Sequence, residues 1–86
     1  MTKKEIPAYV CSHVFEGVLP ILLVCKEDDE WQFLCGGEHD LNEHPRVVGL
    51  NHILERDKSL LEVMNLENNQ EAERNKVGGK WEVSQF

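Results

Sequence analysis

Trp31-Gln32-Phe33-Leu34-Cys35-Gly36-Gly37-Glu38-His39-Asp40 is the stretch on which the fold turns. Alternation of side chains along a strand puts Trp31, Phe33 and Cys35 on one face and Gln32 and Leu34 on the other. The strand ends at a glycine pair and passes into a polar loop. Everything before it supplies strands for it to pair with, and everything after it supplies helical cover.

Upstream, Pro7 holds the entry extended, and residues 8–15, with Tyr9, Val10, Val14 and Phe15, read as a first strand. Glu16-Gly17 marks a turn. Residues 19–25 contain Ile21-Leu22-Leu23-Val24 without polar alternation, which predicts a strand covered on both faces and central in its sheet. Pro20 lacks an N–H and belongs at that strand's first residue or at an unpaired position. Lys26-Glu27-Asp28-Asp29-Glu30 then forms an acidic hairpin tip.

Downstream, residues 36–46 read as loop. Helical spacing begins near Leu50, burying Ile53 and Leu54, with Gly49 at or before the start because an interior glycine costs about 1 kcal/mol relative to alanine. Ser59-Leu60-Leu61-Glu62 has capping-box spacing, predicting a second short helix over residues 60–65 that buries Leu60, Leu61 and Met64. Residues 66–70 read as irregular. Gly78-Gly79 suggests a two-residue hairpin turn between residues 75–77 and 80–83, adding one or two strands to the sheet. The sum is a single α+β domain over residues 1–86: an antiparallel sheet of about four or five strands with two short helices packed on one face. Residues 1–7 and 84–86 are expected to be flexible ends.

Composition narrows the function. A chain of 86 residues buries only about 60 to 65% of its unfolded surface, so large clefts are not expected. Sixteen acidic against nine basic residues give a net charge of -7, which disfavours a nucleic acid partner, since phosphate binding rests on clustered Lys and Arg. The apolar run at residues 18–25 is far shorter than the roughly 20 residues that span a bilayer. No signal-peptide pattern follows the charged start, so a cytoplasmic location is expected, as a monomer or small homo-oligomer. Cys11, Cys25 and Cys35 lack the paired spacing of a disulfide framework and read as reduced thiols in apolar surroundings.

The order Val10-Cys11-Ser12-His13, an apolar strand, an acidic turn, the stretch from Trp31 to Asp40, Val48-Gly49-Leu50 and Ile53-Leu54-Glu55-Arg56-Asp57-Lys58-Ser59-Leu60 resembles a widespread group of small bacterial proteins of unknown function. These in turn resemble the immunity-protein-like domains found beside polymorphic toxins, where a Trp-x-Phe strand ends in a Gly-acidic turn. The resemblance covers roughly residues 9–66. It implies a cytoplasmic α+β domain that binds another protein, in one setting a toxin to be neutralised, without catalytic residues or cofactor.

The residues support a binding surface of that kind. Glu27, Asp28, Asp29 and Glu30 form one acidic stretch, and Glu38, His39 and Asp40 lie in another, both in expected loops, where function usually sits. Complementary charge would steer a basic partner such as a nuclease toxin onto them. Charged tips also simply keep a sheet edge from aggregating. Trp81, in a polar tail, is a candidate binding anchor, whereas Trp31 reads as core. Arg56 with Asp57 and Arg74 read as surface or capping charges.

Two other chemistries compete. Cys11 and His13, two apart on one expected strand face, could join Cys35 and His39 as soft metal ligands, although no Cys-x-x-Cys pair is present. Alternatively, Cys35 could be a nucleophile with His39 or His13 as base and the N–H groups of Gly36 and Gly37 as an anion nest. Against catalysis, a thiol ending an apolar strand among negative charges should be inert.

Overall fold

In the computed structural model, which describes residues 6–37 and 44–86, the chain is α+β with a mixed six-stranded sheet and a few short helices. The elements are β1 (Pro7–Val10), α1 (Ser12–Phe15), β2 (Leu23–Glu27), β3 (Glu30–Leu34), β4 (Arg46–Gly49), α2 (Leu50–Arg56), a 3₁₀ helix (Lys58–Val63), β5 (Gln70–Glu73) and β6 (Glu82–Gln85). Their order across the sheet is β4-β1-β3-β2-β5-β6.

This departs from the expected antiparallel sheet of four or five strands. β1 pairs with β3 in parallel, while every other neighbouring pair is antiparallel. The reason lies in the segment between β1 and β2, long enough to carry the chain past an empty strand position. The β2–β3 hairpin then folds back and places β3 in that gap. The strand that raises the count is β4, which has only four residues and no alternation of its own. Pairing with β1 creates it, so local pattern could not reveal it.

The expected first strand also divides. β1 stops at Val10, and Ser12 to Phe15 form one helical turn with Cys11 at its N-cap. Cys11 and His13 therefore do not share a strand face. β2 starts at Leu23, leaving Pro20 outside it, and its outward residues Leu23 and Cys25 are half-buried rather than covered. The connection between β2 and β3 is shorter than the acidic stretch suggested. Only Asp28 and Asp29 turn, both with positive φ (51° and 65°), the two-residue geometry that matches strand twist. Asn68 braces this turn: its Oδ1 accepts from the Asp29 N–H at 2.7 Å and its Nδ2 donates to Asp29 Oδ1 at 3.0 Å.

Register assigns the two faces. Val48, Ala8, Trp31, Lys26, Gln70 and Gln85 form one row across the sheet, and Arg46, Val10, Phe33, Val24, Ala72 and Val83 form the next on the same side. Apolar members of these rows other than Val83, which is exposed, pack with Val14, Leu50, Ile53, Leu60, Val63 and Leu66 into one core. Phe33 is fully buried at its centre, and the alternation of Trp31, Phe33 and Cys35 holds as expected. The 3₁₀ helix buries Leu60 and Val63, whereas Leu61 is exposed and Met64 half-buried, because i to i+3 spacing replaces the expected α-helical face.

Its cap is Asp57, not Ser59. Asp57 Oδ1 accepts from the Ser59 N–H (3.0 Å) and hydroxyl (2.6 Å). Asp57 also receives Arg74, whose side chain has no solvent exposure. Arg74 Nε and Nη2 donate to the Ile21 carbonyl (3.1 and 2.8 Å), and Nη1 donates to Ser59 Oγ (2.9 Å). Trp81 lies over the guanidinium at 4.4 Å from its ring centroid. Arg74 thus joins the β1–β2 connection, the 3₁₀ helix, β5 and the tail, a buried role that its sequence context did not signal. The expected hairpin at Gly78-Gly79 is instead a turn within the connection 74–81; β5 and β6 pair outside it.

Asp57 gives this junction a pH dependence. Burial pushes its carboxyl pKa up, but hydrogen bonds from Ser59 and Arg74 outweigh that and hold it below the ordinary carboxylate value. A depressed folded pKa contributes stability above the unfolded value, about 3.9, that is lost as pH falls through the lower folded one. The difference in urea midpoint between wild type and Asp57→Asn should therefore be constant near neutrality and shrink below about pH 4. A difference that stays constant into acid would remove Asp57 from the pH response.

Candidate functional site

Among the described residues no helix covers the sheet face opposite α1 and α2, and this face is open. Its rows are Val47, Tyr9, Gln32, Cys25, Glu71 and Ser84, and beside it Leu34, Leu23, Glu73 and Glu82, with Glu27 opposite Glu30 next to the turn. Five carboxylates stand in these rows, and no Lys or Arg does. The two strand cations belong to the other face: Lys26 Nζ sits 4.9 Å above Trp31, and Arg46 lies 5.3 Å from the Phe15 ring centroid. Charge is therefore segregated through the sheet.

That segregation has a cost. Glu27 faces Glu30 and Glu73 faces Glu82 as direct cross-strand partners, and like charges so placed are destabilising. Lys76 and Lys80, from the connection 74–81, border a concavity with Glu73 and Glu82 and moderate the field at that end. Nearer the middle it shows in Cys25, whose thiol is pushed up to about 11 by burial and then by Glu71 and Glu27. A shallow concavity of about 270 Å³ lies toward the other edge, lined by Tyr9, Glu30, Gln32, Leu34 and Pro45. The open face thus combines an apolar hollow with an acidic field.

Of the sequence-derived binding residues, Glu27 and Glu30 lie on this face. Asp28 and Asp29 form the turn itself, and Asp29 is engaged with Asn68. Glu38, His39 and Asp40 lie outside the described residues. Trp81 is half-buried over Arg74, and its Nε1 is buried with no hydrogen-bond partner among the described residues, so it packs as a lid on the core. Glu71, Glu73 and Glu82 were missed because the sequence pattern of the tail did not show which residues alternate onto which face.

The helical side holds a second arrangement. The extended Cys11 N-cap, the α1 turn and the end of β3 bring Cys11, His13 and Cys35 together, with one donor atom of each within 4.8 Å of the others. Cys35 Sγ lies 3.5 Å from His13 Nδ1 and accepts from the Gly37 N–H at 3.4 Å. Gly36 makes that return possible with φ of +78°. Both cysteines are buried and reduced. Burial raises the Cys35 thiol pKa, and its hydrogen bond with Cys11 raises it further, against an opposing pull from the Gly37 N–H. A neutral thiol is a poor nucleophile, and the Gly37 N–H points at sulfur rather than at an anion. His39, the fourth expected metal ligand, lies outside the described residues.

No family model, curated protein or solved structure matches this chain. Among the described residues no helix is long and apolar enough to cross a membrane.

Proposed function

We propose that this is a non-catalytic, cytoplasmic binding module whose open sheet face takes a basic protein partner, in the manner of an immunity-type protein that neutralises a toxin. The observation that carries the reading is charge segregation across the sheet. Five glutamates occupy the uncovered face, two cross-strand pairs among them are mutually repulsive, and both strand cations sit behind it. A basic partner would relieve that repulsion on docking, and the long-range field would speed encounter. The hollow beside Tyr9 and Leu34 offers a place for an apolar anchor. The resemblance to immunity-protein-like domains points to the same class of partner.

The test is affinity capture from the source cell's lysate with three baits: wild type, Glu27→Lys with Glu30→Lys and Glu71→Lys, and a control reversing the exposed helical residues Glu55 and Glu62. A basic polypeptide held by wild type and control should bind the sheet-face variant at least about tenfold more weakly, with a flatter salt dependence. Equal capture by all three baits would take the open face out of the interaction.

A further inference from the structure

Two thiols and an imidazole from separate segments meet beside the last residue of β3, and nothing in the binding reading uses them. Cys11 and Cys35 are buried and His13 is half-buried. We infer that Cys11, His13 and Cys35 bind one zinc-class metal ion, a thiophilic divalent cation held by two thiolates and an imidazole nitrogen.

The geometry fits the ion. Tetrahedral zinc about 2.3 Å from sulfur and about 2.0 Å from nitrogen sets those two donors about 3.5 Å apart. Cys35 Sγ and His13 Nδ1 are 3.5 Å apart. Two sulfurs on the same ion would be about 3.8 Å apart, and the whole donor set already lies within 4.8 Å. Small rotamer adjustments close it.

The surroundings also suit a thiolate. The Gly37 N–H donates to Cys35 Sγ from two residues along the chain, the outer hydrogen bond that steadies a metal-bound sulfur. Gly36 supplies the positive φ that folds the backbone over the sulfur. As each S–metal bond forms, the thiol proton leaves to solvent, and the ion replaces the hydrogen bond between the two sulfurs. Among the described residues three donors converge, which leaves one tetrahedral position for a further ligand. The bound ion would clamp α1 to the end of β3, adding to the core packing of Val14. A disulfide between Cys11 and Cys35 is the competing fate of the pair.

The experiment titrates the reduced full chain with Co²⁺ and then Zn²⁺. One Co²⁺ per chain should bind with thiolate-to-cobalt charge-transfer absorption and the strong visible bands of a tetrahedral site, and one equivalent of Zn²⁺ should abolish both. Removing an outer-shell partner typically weakens metal binding 10- to 100-fold, so Cys11→Ser and Cys35→Ser should each cost at least about 100-fold. Cys25→Ser should leave binding unchanged. A second readout needs no variant: Zn²⁺ should slow alkylation of Cys11 and Cys35, followed by peptide mass spectrometry, at least about tenfold without affecting Cys25. Absence of the charge-transfer band with thiols reduced, alkylation indifferent to Zn²⁺, or a Cys11–Cys35 disulfide that forms equally fast with Zn²⁺ present would each overturn the assignment.

Discussion

Arg74→Met is expected to destabilise the protein by about 3 to 5 kcal/mol, the range found when one partner of a buried ion pair is removed. The side chain is wholly enclosed, and its loss would strip donors from the Ile21 carbonyl, Ser59 Oγ and Asp57 Oδ2 while leaving those acceptors in place. It would also remove the cation beneath Trp81. Methionine keeps the stem's volume, so the loss reports hydrogen bonds and charge rather than a cavity. Urea unfolding of wild type, Arg74→Met, Asp57→Leu and the double variant closes a cycle that isolates the pair. The double variant should recover at least about 1 kcal/mol relative to the sum of the singles, because an apolar pair no longer strands a charge. Purely additive effects would mean that Arg74 acts through the Ile21 carbonyl and Trp81, and not through Asp57.

Trp31→Ala should cost a similar amount, about 3 to 5 kcal/mol. Trp31 is buried at the edge of the core, stacked on Phe33 with ring centroids 6.2 Å apart, and roofed by the Lys26 ammonium. Domains of this size hold roughly 5 to 15 kcal/mol in total, so the variant should be partly unfolded at 37 °C. Circular dichroism against temperature would show it. Trp31→Phe, which keeps an aromatic ring against Phe33, should lose less than about half as much. A Trp31→Ala variant as stable as wild type would show that the core closes without this ring.

How far the sequence could be read depends on where the determining information lies. Trp31, Phe33 and Cys35 share a face because side chains alternate along any strand, and that was visible from spacing alone. The acidic residues between β2 and β3 were recognised as a turn for the same local reason. Their division of labour was not visible: Asp28 and Asp29 adopt positive φ and bond Asn68, while Glu27 and Glu30 project from paired strands. Glu27 and Glu30 face each other within their own hairpin, but that Glu71 and Glu73 share their face follows from pairing of β2 with β5, more than 40 residues along the chain, and Glu82 is added by the β5–β6 pairing.

The two sites differ in the same way. Cys11, His13 and Cys35 could be named as soft ligands from their chemistry, but the reason first offered, a shared strand face for Cys11 and His13, does not hold. Cys11 is an N-cap and His13 lies in the helical turn that follows, and the Cys35 sulfur joins them because β3 runs parallel to β1 and ends beside that turn.

By itself the sequence determined the α+β class, the alternation of β3, an acidic turn within residues 26–30, the start of α2 near Leu50 and the excess of negative charge, all properties carried within a few residues or by composition. Only the tertiary structure decided that the sheet is mixed, that β4 exists, that Arg74 is buried and that five glutamates share one open face. Each of those depends on which strand lies next to which, and free energy of that kind comes from contacts between distant segments that no local window contains.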